Sequence, residues 1–166
     1  MSDLRGFTLI ELLIALSIAA TISALVVLRL DTSDARRVAQ AAESLAALLE
    51  GARDEALISG RNIAVSSDGD AVQFWQMDAL GYQRSEWRAL PASETLRPQA
   101  LKNGVRWQAQ RLNDKPRPLG ERLLFAPDGV LEPFSIVLAG RTSRVSLDID
   151  VMGRVRVHDL ENDAAR

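Results

Sequence analysis

Gly6-Phe7-Thr8-Leu9-Ile10-Glu11 opens an apolar run that continues to Leu28 and holds a single charge, Glu11. Every other residue from 7 to 28 is apolar, small or hydroxyl-bearing. As a helix, this run is about 33 Å long at 1.5 Å per residue, against a bilayer hydrocarbon core of about 30 Å. A carboxylate inside such a span is expensive to bury, about 3 kcal/mol on insertion scales, and so counts as a functional residue by default. Ahead of the run stands a short charged stub that ends in Gly6. Gly6 has no side chain, so a protease can bring its catalytic groups close to the bond that follows. A secretory signal peptide has a shorter apolar region, about 7–15 residues, with a small-residue cleavage site leading into polar sequence. A plain membrane anchor accounts for the length of the run but not for Glu11.

The stub, the Gly6-Phe7 junction and Glu11 together resemble the class III signal of type IV pilins and of the pseudopilins of type II secretion. The resemblance implies that a prepilin peptidase cuts between Gly6 and Phe7 and methylates the new amine of Phe7. It also implies that Glu11 guides assembly into a helical filament, with the stub cytoplasmic and the remainder periplasmic. Charge counting does not decide the orientation: Arg5 and the initiator amine face Asp3 on one side, and Arg29, Arg36 and Arg37 face Asp31 and Asp34 on the other. Glu11 lies four residues after Phe7, one helical turn. It can pair with its own amine or with that of a neighbouring subunit, and the need for a partner in lipid would fix the axial register. The alternative is a Glu that snorkels to the headgroups.

With 166 residues, the chain has the length of one domain, and roughly a hundred remain for a globular part once the helix is set aside. A net charge of −2 gives no strong pull toward nucleic acid. Without cysteine there is no disulfide and no thiolate metal site. Many true type IV pilins carry a C-terminal disulfide, so its absence favours a pseudopilin.

Past Asp31 the helical period persists. Val38, Ala42, Leu45, Leu49, Ala52 and Ala56 form one stripe, with Arg36, Glu43, Glu50 and Asp54 opposite. The stripe is Ala-rich and lets a sheet pack close. Gly51 is a tolerated interruption, and Gly60 after Ser59 is the stop. Thr21 and Ser23 can bond back to the helix.

After Gly60 the period changes to two. Residues 62–66 end at the Asp68-Gly69 turn signal, and residues 71–77 form their partner. Residues 84–90, 104–110, 123–125, 134–138, 145–151 and 154–157 read as further strands, with a turn at Pro127-Asp128-Gly129 and loops at 91–104 and 113–120. The expected fold is α+β and type IV pilin-like: a long N-terminal helix packed on a C-terminal antiparallel β domain of one sheet or two. Phe125-Ala126-Pro127-Asp128-Gly129, Ser135-Ile136-Val137-Leu138, Val145-Ser146-Leu147-Asp148-Ile149 and Gly153-Arg154-Val155, in that order, resemble H-type minor pseudopilins and the related FimT-like minor pilins.

No side chains form a nucleophile–base or metal-ligand constellation, which argues against a membrane-anchored enzyme. His158 reads as surface or interface packing. Asp148 and Asp150, two apart on one strand, read as a solvated face, and Trp75, Trp87 and Trp107 as core or loop-clamping aromatics. Residues 97–122 are rich in base, Pro and Asn. Arg106, Arg111 and Lys115 are either part of a solvated loop or a docking surface for another pseudopilin or a secreted substrate. Nucleic acid is not an expected partner for an acidic chain without a regular aromatic stripe.

The expected organisation is a cleaved leader at 1–6, a transmembrane half-helix at 7–28, an amphipathic periplasmic half at 29–59, a periplasmic β domain at 60–160 and a flexible tail at 161–166. The resemblance implies a minor pseudopilin that joins the tip complex to the shaft of the type II secretion pseudopilus. Its partners would be the peptidase/methyltransferase, the major and other minor pseudopilins, the inner-membrane assembly platform and the membrane, with no cofactor. The alternative is a FimT-like minor pilin that primes type IV pilus assembly or DNA uptake. A periplasmic ligand-binding module is a further reading.

Overall fold

The computed structural model describes residues 9–79, 85–90 and 96–160. Helix α1 runs Leu9–Ser59. It stops where the Gly60 N–H bonds to the Ala56 carbonyl at 3.0 Å and Gly60 takes φ 67°, a left-handed conformation that suits glycine at a helix end. The chain divides into two compact units, residues 1–33 and residues 34–166.

Among the described residues of the second unit ten strands follow α1: β1 Ile63–Ser67, β2 Ala71–Ala79, β3 Ser85–Ala89, β4 Gln99–Ala100, β5 Arg106–Leu112, β6 Lys115–Arg117, β7 Leu123–Phe125, β8 Phe134–Ala139, β9 Arg144–Ile149 and β10 Val155–Asp159. They form two antiparallel sheets. One has the order β3-β2-β1-β7, with β4 also on β2; the other has the order β10-β9-β8-β5-β6. The fold is thus α+β, with two sheets rather than one.

The core lies between the helix stripe and both sheets. Val38, Ala42, Leu49, Ala52 and Ala56 are fully buried and Leu45 nearly so, while Arg36, Glu43, Glu50 and Asp54 are exposed, as the helical period requires. Facing the stripe are Val65, Phe74 and Phe125 from the first sheet and Trp107, Ile136, Leu138 and Leu147 from the second. Phe125 meets Phe134 edge to face, with centroids 5.7 Å apart.

The sequence reading needs three corrections. The segment 113–120 is not all loop. Asn113 (φ 49°) and Asp114 (φ 59°) make the two-residue, doubly left-handed turn of a tight hairpin, which pairs β5 with β6. Pro116 signalled a loop but is tolerated because β6 is an edge strand, where a missing donor does no harm. The segment 91–104 also contains a strand, β4, which extends the edge of β2. Finally, β9 stops at Ile149, so Asp148 and Asp150 do not share a strand face. Asp150 closes the next turn instead, accepting from the Met152 and Arg154 N–H groups at 2.9 and 3.0 Å. The Arg154 N–H leads the contacts that hold the Asp150 carboxyl below the usual carboxylate range.

Candidate functional site: the N-terminal helix and the faces of the β unit

Gly6 and Phe7 lie outside the described residues. Glu11 stands in the first turn of α1. From Leu9 to Ser23 every side chain is exposed, from Leu9 at 79 % to Leu12 at 54 % among the large apolar ones. A helix that is apolar all round is built to be covered by something other than water. Its hydroxyls are closed off internally. Ser17 donates to the Leu13 carbonyl at 2.9 Å, Thr21 to Ser17 at 2.8 Å and Ser23 to Ala19 at 2.8 Å. Glu11 remains the single charge of the segment. Among the described residues no helix is long and apolar enough to cross a membrane.

Asp34 begins the second unit and is 5 % exposed. Its Oδ2 accepts from the Thr142 N–H at 2.8 Å, the Thr142 hydroxyl at 3.2 Å and the Ser143 N–H at 3.2 Å, all in the β8–β9 turn. The Thr142 N–H does most to hold the Asp34 carboxyl below its ordinary range, against the opposing effect of burial. A Cβ on Gly140 would sit 2.6 Å from Asp34 Oδ2, so the turn approaches this closely only with glycine there. Sequence reading missed this latch because its halves are 108 residues apart with no local pattern between them.

Of the basic residues, Arg106 and Arg111 are an odd number of positions apart and would lie on opposite faces of a regular strand. A bulge between Trp107 and Ala109 skips Gln108 and brings both to the outer face of β5, leaving Trp107 and Gln110 buried. Lys115 pairs with Leu112 and belongs to the other face. Arg106 is already matched by Asp70 (Nε to Oδ1, 2.8 Å), and Arg111 folds back onto the Asp114 carbonyl at 2.8 Å. The structure therefore groups Arg106 with Arg111 and leaves Lys115 apart.

The three tryptophans divide. Trp107 is core at 1 % exposure. Trp75 and Trp87 lie on the outer face of the first sheet, with the Arg122 guanidinium 4.2 and 5.7 Å from their ring centroids. The Trp75 indole N–H donates to Ser66 Oγ at 2.8 Å. This cover explains why β1 is buried on both faces. His158 is half-exposed beside Asp148, 3.5 Å away. Among the described residues no group of three acidic, His or Cys side chains could hold a metal.

A family model described as Type II transport protein GspH matches residues 41–153. The chain belongs to the GspH family. A second model, the prokaryotic N-terminal methylation motif, matches residues 1–27. The type II secretion system protein H of Escherichia coli K12 is 26 % identical over 84 % of this chain and 83 % of its own. That of Pseudomonas aeruginosa PAO1 is 29 % identical over 92 % and 96 %. The minor pseudopilin EpsH of Vibrio cholerae shares the fold, with a TM-score of 0.59, 19 % identity, and coverage of 74 % of this chain and 97 % of that one. These findings make the chain a minor pseudopilin of type II secretion, and the FimT-like alternative is not favoured.

Proposed function

We propose that this GspH-family chain is cut between Gly6 and Phe7, methylated at the Phe7 amine, and inserted through residues 7–28 into the inner membrane with its β unit in the periplasm. From there it enters the pseudopilus near the tip and joins the tip complex to the shaft, supporting export of folded proteins across the outer membrane. The observation that carries this reading is the methylation motif over residues 1–27 ahead of the GspH match over residues 41–153 in one chain. The exposed apolar side chains of residues 9–23, among hydroxyls sealed onto the helix, support burial in lipid and then among neighbouring helices.

Glu11 supplies register. It lies one helical turn from the amine that cleavage frees, and in low dielectric an unpaired carboxylate is costly. A subunit that places Glu11 beside an open Phe7 amine is favoured over one that slips along the shaft. The role is structural and involves no turnover of substrate. Arg106 and Arg111 on the outer face of β5 form the docking surface for another pseudopilin. Intact mass and N-terminal analysis of the protein from its native membrane tests the reading. The expected mature chain begins at methylated Phe7. A chain starting at Met1, or one cut beyond Leu28, overturns it.

A further inference from the structure

Among the described residues the last hairpin has an open side along Val155 and Val157. β10 is an outer strand of its sheet, and β9 is its one strand neighbour among the described residues. The opposite edge of the same sheet, β6, is three residues long and carries Pro116, which blocks pairing. β10 has no such block. The hydrogen bond from the Asp150 N–H to the Arg154 carbonyl at 3.2 Å sets the phase of the ladder. In an antiparallel pair bonded positions alternate, so Arg156 and His158 point their backbone groups at β9, while Val155, Val157 and Asp159 point theirs away.

The side chains of the hairpin agree with an unfilled place beside it. Val151 and Met152 in the turn before β10, Val157 within β10 and Leu160 just after it are exposed at 49, 53, 44 and 36 %, apolar side chains gathered about the hairpin. Val155 and Val157 pair with the buried Ile149 and Leu147, so they continue the core-facing side of the sheet past its last covered strand. On the other face stand Arg156 and His158. Arg156 lies opposite Asp148, yet that carboxylate is 3.5 Å from His158, and Arg156 makes no ion pair among the described residues.

We propose that the free edge of β10 accepts an extended segment of another polypeptide in which apolar residues alternate with acidic ones. The added strand would take its main-chain bonds from Val155 and Val157. It would lay apolar side chains against theirs and present carboxylates to Arg156 and His158. A second copy of the chain is a poor occupant, because antiparallel pairing of β10 with itself about Val157 sets Arg156 opposite His158 and brings no carboxylate to Arg156. The inference goes beyond the pseudopilus reading and does not depend on it.

The test uses the full chain in detergent micelles with two blocked heptapeptides, Glu-Val-Glu-Val-Glu-Val-Glu and its counterpart with Lys for Glu. Amide hydrogen exchange is followed at residues 155–159. The acidic peptide is expected to slow exchange at Val155 and Val157 by roughly tenfold or more, and the basic peptide to leave it unchanged. Val157→Pro removes one outward donor and no bond to β9, so it should abolish the effect while the circular dichroism spectrum is kept. Arg156→Glu leaves the backbone alone and should reverse the preference between the peptides. Equal protection by both peptides, no protection by either, or undiminished binding to a folded Val157→Pro chain overturns the proposal. So does protection of Val155 and Val157 without peptide in a chain that sediments as a dimer, since the occupant is then a second copy.

Discussion

Replacing Asp34 with alanine should loosen the second unit at the point where it begins. The change removes three hydrogen bonds to a carboxylate that is 5 % exposed. Thr142 is exposed, so its N–H and hydroxyl can turn to water, but Ser143 is buried and its N–H keeps no partner. Bonds to charged groups contribute about 1.5–3 kcal/mol each, and a stranded buried donor costs about 1–3 kcal/mol. Alanine returns about 0.6 kcal/mol of helix propensity. With water replacing the two Thr142 bonds, one charged bond and the stranded Ser143 N–H remain to be counted, so the net loss is about 3 kcal/mol, or about 12 °C in Tm for a unit of this size. Urea titration of the full chain in detergent, followed by circular dichroism, measures it.

The effect must also depend on pH. The folded-state pKa of Asp34 lies below its unfolded value, so its stabilisation is complete above about pH 4 and is lost as pH falls through the lower, folded value. The difference between wild type and Asp34→Ala should therefore be flat from pH 7 to about pH 5 and should close in stronger acid. A loss below about 0.5 kcal/mol, or a gap that stays constant into strong acid, refutes the latch.

Three further outcomes are expected. Glu11→Leu should still be cleaved and inserted but should enter filaments poorly, and normal secretion by this variant would refute the register role. Gly153→Ala should destabilise by about 2 kcal/mol in a thermal melt, since Gly153 has φ 72° and a Cβ there would come 2.5 Å from Arg53 Cδ. Reversing Arg106 and Arg111 together should weaken capture of a neighbouring pseudopilin in pull-downs, whereas reversing Lys115 alone should not. An equal effect from Lys115 would undo the assignment of faces.

The helix was legible because its signal is periodic and local: six stripe positions, and a glycine where the chain must turn left-handed. The longer strands were legible from alternation. What escaped depends on contacts across the chain. β4 and β6 are strands only because β2 and β5 offer them an edge, and Pro116 read as a breaker because its edge position is not written in its neighbours. The bulge at Gln108, in the pairing of β5 with β8, puts Arg111 on the face of Arg106, which simple alternation does not do. Asp34 and the turn it holds carry no shared motif. The apolar start and Glu11 were plain in the sequence, while their roles rest on partners outside the chain.

The two sheets trade segments. The chain leaves the first after β4, builds β5 and β6 of the second, returns to place β7 beside β1, and then completes the second with β8, β9 and β10. Neither sheet can therefore finish alone. As the chain emerges from its N-terminus, the apolar stripe of α1 is complete long before Phe125, Phe134 or Leu147 exists to shield it. Folding must wait for these distant pairings, which makes it slow and keeps the unfinished chain sticky. A nick in the Asn113-Asp114 turn would separate β5 from everything that follows it, and so would strike both sheets at once.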